Sequence, residues 1–366
     1  MGKQGKFVGR LQQVRALMQE RNIEALRFTM QKNVSWLIGG RTHVNTASEP
    51  ACCQVIVTGA ECVLIANNIE KRRLIEEEIA HGDSDTAIRA ESWLWCEPGQ
   101  LAEAIHGVVS AYTRVCTDIE LEGQLLLLRT IHASEDTDKL LEIGRLTADA
   151  IEQAAFDVER GDTEFRIAGK LAMRCWERGL EPIVNLIATD ERIYARRHPL
   201  PTGKTLDRYA MLVVCTRKDG IVLSATRLVH FGPVPDELQR LHRAVIEIDV
   251  RVNDATKPGI SLAELFEMLK IFYEDAGYAG EYVNHHQGGL TGYASREKIA
   301  LPSESLQVKA GNLFAWNPSL TGVKSEDTLL VQENSSRFIT VSGNYPLVDV
   351  KVGSRLWQRP GILERR

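Results

Sequence analysis

Apolar residues recur at helical spacing over residues 8–20, where Leu11, Val14, Leu17 and Met18 form one stripe, and this predicts an opening amphipathic helix. The run Val34, Ser35, Trp36, Leu37, Ile38, stopped by Gly39 and Gly40, predicts a strand. Residues 54–57 and 62–65 are β-rich, and Thr58-Gly59-Ala60-Glu61 between them predicts a hairpin. Residues 69–79 and 101–112 read as amphipathic helices. These elements make one α/β unit that ends near residue 125.

A second unit opens with a long helix from about residue 135, with Ser134 as its expected N-cap and Leu140, Leu141, Ile143, Leu146, Ile151 and Ala154 on its apolar face. Another helix follows Gly161-Asp162 and closes at Gly179. Residues 211–215 and 221–223 predict strands joined through Asp219-Gly220, a pair suited to a tight hairpin turn. A helix begins near Pro235-Asp236, and a further one at Ser261, where Ser261 and Glu264 form a capping box, ending at Gly277. The last ~80 residues are mostly strand and loop. The boundary falls within residues 122–133, so the expected domains are 1–126 and 127–366 of a two-domain α/β (α+β) protein.

Composition narrows the setting. Charged residues are 25% of the 366, and the net charge is −5, which does not suit a nucleic-acid-binding face. No apolar run approaches membrane-spanning length. The basic start, from Met1 to Lys6, is not followed by an apolar signal core. The seven cysteines form no CxxC pair and read as buried thiols in a reducing compartment. A cytoplasmic location is the resulting expectation.

Polar residues of the second unit cluster at predicted strand ends and turns: His198, Thr226-Arg227, His285-His286-Gln287, Tyr293, Arg296-Glu297, Asn317 and Lys324-Glu326-Asp327. In this order, with Gly161-Asp162-Thr163-Glu164, the Asp219-Gly220 hairpin and Gly322-Val323-Lys324-Ser325-Glu326-Asp327-Thr328, they resemble the family of creatinase, proline dipeptidases, aminopeptidase P and methionine aminopeptidases. The resemblance covers nearly the whole chain. It implies a creatinase-type N-terminal domain and a C-terminal pita-bread domain, a curved and mostly antiparallel sheet covered by helices.

Metallopeptidase members hold a pair of metal ions on two Asp, one His and two Glu. The matching positions here are Val213, Ser224, Gly289, Asn317 and Glu326, of which only Glu326 is a carboxylate. Paired dications need shared anionic oxygen. The expectation is therefore no metal and no cofactor, and a metal-independent hydrolase opening a C–N bond of a small polar metabolite: an amide, lactam or cyclic amidine. Peptidase activity is not expected. His198 matches the acid/base histidine of creatinase, and imidazole titrates near neutrality. Creatinase holds a guanidinium on two carboxylates, whereas Thr226 and Asn317 stand at those positions and are neutral, so creatine is not expected as substrate.

Glu326 is expected to assist catalysis or to form a salt bridge with Lys324 or Arg227. Strand-like spacing places one of His285 and His286 toward the pocket and the other away, with His286 slightly preferred. Tyr293 is a candidate hydrogen-bond donor to substrate, and Arg296 a candidate carboxylate anchor. The resemblance also implies a homodimer in which the first domain reaches the neighbouring site, with Arg41 or His43 as the residue that does so. Two other readings accompany the hydrolase: a non-catalytic pita-bread module that binds peptide or protein, and a metallopeptidase-like enzyme with a rebuilt site, one ion on His285, His286 and Glu326.

Overall fold

A computed structural model describes residues 3–79 and 88–366. Met1 and Gly2, at the head of the basic start, lie outside the described residues. The chain divides into two compact units, Met1–Arg129 and Thr130–Arg366.

The first unit is built on a five-stranded mixed sheet in the order Arg89–Trp93, Cys62–Asn67, Pro50–Thr58, Ala25–Met30, Val115–Thr117. The expected hairpin is its antiparallel pair Pro50–Thr58 and Cys62–Asn67. Helix Gly99–Val109 covers one face, where Leu101, Ala104 and Ile105 pack on Ala25, Ile56, Val63 and Ile65. Residues 34–38 are not a strand. They belong to helix Gln31–Ile38, which ends at Gly39 with φ +83°. Val34, Ser35, Trp36, Leu37 and Ile38 are all buried, so the run carries no solvent face from which periodicity can be read. Buried Asp118 fixes the start of this helix: it accepts hydrogen bonds from Thr29 Oγ1 (2.8 Å), the Met30 amide (2.9 Å) and Asn33 Nδ2 (3.0 Å).

The second unit opens with helix Thr137–Asp157. Ser134 does not cap it; Ser134 begins a 3₁₀ turn and bonds Glu135 instead. Helix Glu164–Trp176 starts at Thr163, whose hydroxyl accepts from the Arg166 amide. Helix Asp236–Ala255 precedes helix Leu262–Asp275, which carries the complete Ser261–Glu264 capping box. Strands Tyr209–Lys218 and Ile221–Phe231 form the long hairpin, with Asp219 at φ +51° and Gly220 at φ +82°, the left-handed pair a two-residue turn requires. Every residue of Ile221–Phe231 is buried. The hairpin lies in a four-stranded sheet ordered Ile362–Arg365, Ile221–Phe231, Tyr209–Lys218, Glu181–Thr189. A five-stranded antiparallel sheet runs Lys298–Ile299, Gly288–Thr291, Leu313–Trp316, Asp327–Val331, Ser336–Phe338.

The two sheets are stitched where residues 224–228 meet residues 326–328. The Ser224 amide donates to Thr328 Oγ1 (2.9 Å), Thr328 Oγ1 to the Ser224 carbonyl (3.1 Å), and the Thr226 amide to the Glu326 carbonyl (2.9 Å). Beneath this seam lies a lattice of buried charge. Arg227 bridges Glu152 (2.8 Å) and Asp327 (3.1 Å), and Arg359 bridges Asp249 (2.6 Å) and Asp327 (2.9 Å), although the last contact lies off the hydrogen-bonding direction. Both guanidiniums are fully buried, and the lattice holds the segment that carries Glu326. Removing one partner strands the others without counter-charge. Arg227→Ala should lower the unfolding free energy by about 3–5 kcal/mol in chemical denaturation, and a loss below ~1 kcal/mol would contradict this role for the lattice.

Candidate active site

Loop and turn geometry brings three imidazoles together. His198 follows the short helix Glu191–Ala195 and is exposed, while His285 and His286 follow the 3₁₀ turn Glu281–Asn284 and precede strand Gly288–Thr291. His198 Nε2 lies 3.0 Å from His285 Nε2. The His285 and His286 rings stack at 4.5 Å, and His198 sits 4.7 Å and 5.5 Å from them, centroid to centroid. His285 and His286 therefore do not face opposite ways. They leave the turn before the regular strand begins, so the alternation of a strand does not apply to them. Gln287 secures the turn: its Nε2 donates to the His285 carbonyl (2.6 Å) and the Tyr273 hydroxyl donates to its Oε1 (2.8 Å).

Burial and nearby cations keep these rings neutral. Burial, with Lys324 next, pushes His285 down to about 2. Burial, with Arg296 next, pushes His286 down to about 4. His198, exposed as a whole residue, is lowered by partial desolvation of its ring and then by Lys324. Glu326 acts on all three in the opposite sense.

Glu326 is itself buried and saturated. One oxygen accepts from Arg296 Nη2 (2.8 Å), the other from Lys324 Nζ (2.7 Å) and Thr226 Oγ1 (2.9 Å). Burial alone would raise its pKa, but Lys324 and Arg296 outweigh burial and bring it to about 2. Its ion pairs are thus with Lys324 and Arg296, while Arg227 bonds Glu152 and Asp327. Arg296, the candidate carboxylate anchor, is engaged here and also reaches Ser224 Oγ (3.3 Å). Asn317 Oδ1 is buried with no partner. Tyr293 stacks on His132 at 6.2 Å, and its amide donates to Glu297 Oε1 (2.9 Å). Arg41 belongs to the first unit, where its Nε donates to Glu78 (2.9 Å). Lys324, which the sequence offers only as a salt-bridge partner of Glu326, takes that role and also lowers all three imidazoles. The available signal was its spacing: two residues from Glu326, on the same face of an extended segment.

The carboxylate cradle of a metal pair does not fit these residues. The hairpin register pairs Val213 with Thr226 and Cys215 with Ser224, so the two aspartate positions share a face but offer only a valine and a serine. Gly289 has no room for any side chain, because a Cβ there would come 2.3 Å from the Lys298 carbonyl oxygen. The one remaining carboxylate, Glu326, already carries an ammonium and a guanidinium.

Residues 138–333 match metallopeptidase family M24. An uncharacterised peptidase of Staphylococcus saprophyticus is 23% identical over 234 residues, covering 60% of this chain and 65% of the relative. The Xaa-Pro dipeptidase of Pyrococcus furiosus is 24% identical over 223 residues, 58% of this chain and 64% of that one. The chain thus spans less than two thirds of the length of the curated relatives it matches. Among solved structures, the prolidase from Pyrococcus horikoshii OT3 aligns with TM-score 0.73 at 18% identity, over 91% of this chain and 98% of that one, which shows the two-domain pita-bread fold. These matches overturn the expectation of a metal-independent hydrolase of a small polar metabolite, and with it the expectation that peptidase activity is absent. Among the described residues no helix is long and apolar enough to cross a membrane.

The neutral imidazoles set a pH dependence. In the unfolded chain a histidine titrates near 6.5, while folded His286 titrates near 4. Between those values the unfolded chain binds more protons, so the stabilisation is complete above pH 6.5 and is lost as the pH falls toward 4. Denaturation midpoints should drop between pH 7 and pH 5, and His286→Gln should flatten that slope. An unaltered slope in the variant would contradict the assignment.

Proposed function

The chain belongs to metallopeptidase family M24, and on that premise we propose that it is a peptidase-type hydrolase that opens the amide bond of a short peptide at the three-imidazole cluster of its second unit. The observation that carries this reading is the contact of His198 with His285, 3.0 Å between Nε2 atoms, with His286 stacked beside them and Lys324, Arg296 and Glu326 within electrostatic reach. Opening an amide needs nitrogen or oxygen lone pairs that can manage protons, and positive charge where the carbonyl oxygen becomes anionic. His285 and His286 are kept neutral at pH 7 with lone pairs free, and His198 is the ring that carries the proton. Lys324 and Arg296 together carry one more positive charge than Glu326 removes, which supports the second. The same surplus suits the free carboxylate of a short peptide. Similarity to an Xaa-Pro dipeptidase supports dipeptides ending in proline as the first substrates to try.

The purified chain should release free amino acids from members of a panel of Xaa-Pro and other dipeptides, assayed with and without added metal salts. His285→Gln should lower kcat/KM by ~100-fold or more, with circular dichroism showing an intact fold. Dipeptides that bind saturably yet are recovered intact across the whole panel would overturn the reading.

A further inference from the structure

We propose that His198, His285 and His286 hold one borderline-soft divalent cation, Zn2+ or Co2+, in place of a carboxylate-bridged pair. The catalytic use of that ion rests on the peptidase-type reading, but the ability to bind it does not.

Each of the three residues offers one ring nitrogen, and those ligand atoms all lie within 4.8 Å of one another. Tetrahedral zinc with nitrogen ligands at about 2.0–2.1 Å places its ligand atoms about 3.3 Å apart. The His198 and His285 Nε2 atoms, at 3.0 Å, are already near that spacing. His198 is exposed on its loop, so rotation of its ring can close the remaining distance.

His285 also lacks the bonds of a structural histidine. A buried ring normally ties its nitrogens to carbonyl or carboxylate oxygen. Here the Nε2 partner is another imidazole, and Nδ1 is buried with no partner. In that contact one Nε2 holds the proton and the other accepts it. A cation bound by both moves the proton to Nδ1 of the donor ring and leaves two lone pairs on the metal. His286 Nδ1 accepts a long bond, 3.3 Å, from the Gly288 amide, so coordination through its Nε2 costs only that weak contact.

The donor set selects the metal. Three neutral nitrogens and no carboxylate suit Zn2+, Co2+ and their neighbours, and disfavour Mg2+, Mn2+ and Ca2+, which take oxygen. Lys324 and Arg296 oppose a dication, and Glu326 cancels only one of them. The surplus favours an anion, hydroxide or a substrate carboxylate, at the fourth position. Three protein ligands with one open position is the form of a catalytic zinc site, whose ion would supply an acidic bound water.

The test is calorimetric titration of the metal-stripped full chain with Co2+ and Zn2+, without substrate, followed by visible absorption of the cobalt form. One ion per chain with the bands of four-coordinate Co2+ is expected, and no comparable binding of Mn2+. His198→Ala, at an exposed position that does not endanger the fold, should weaken binding at least ~10-fold and bleach the bands. Two ions per chain, an unchanged affinity in His198→Ala, or no binding of either metal would overturn the site. Dipeptide cleavage by a chain that binds no Zn2+ or Co2+ would overturn this site and leave the hydrolase reading standing. Stoichiometric cobalt with every dipeptide intact would do the reverse.

Discussion

The second unit is organised around one buried carboxylate that two cations neutralise. Glu326 is 2% exposed, and a lone ionised carboxylate at that depth would cost several kcal/mol. Lys324 and Arg296 remove that cost at close range, and Thr226 completes the shell from the neighbouring hairpin strand. Lysine and arginine therefore supply the positive charge that this carboxylate needs. The charge of Glu326 is thus met by side chains of the chain itself, with one positive charge left over.

That substitution has consequences on both sides of the seam. Behind Glu326, the Arg227 and Arg359 lattice holds the same segment from below, so the pocket floor cannot slide without exposing Asp327 and Asp249 to an unpaired state. In front of it, the surplus positive charge adds to burial in keeping His285 and His286 free bases. A neutral imidazole keeps a lone pair for a ligand bond; an imidazolium does not. The two cations that neutralise Glu326 thus also set the charge state of the three-histidine cluster.

Much of this was readable from residue order. Asp219-Gly220 demands the left-handed turn found there, and Ser261 with Glu264 makes the capping box found there, because both signals are local. The empty aspartate positions, Val213 and Ser224, were also legible and lie on one face of the hairpin as the register requires. What failed depended on tertiary context. Residues 34–38 are buried on every side, so helix and strand leave the same apolar trace. His285 and His286 sit in a turn whose course is set by Gln287 and Tyr273, which pair across 14 positions. Arg296 reads as a substrate anchor in the sequence, and its tie to Glu326, 30 residues away, is visible only in the fold. The expected function failed for another reason: it set the missing metal ligands above the resemblance to peptidases, and the family match points to a peptidase.

The most direct measurement is an anomalous difference map from crystals of the chain soaked in Zn2+. A single peak among the imidazoles of His198, His285 and His286, with none between Glu326 and Ser224, is the predicted result. A peak, or two peaks, at Glu326 with Lys324 and Arg296 swung aside would contradict the account.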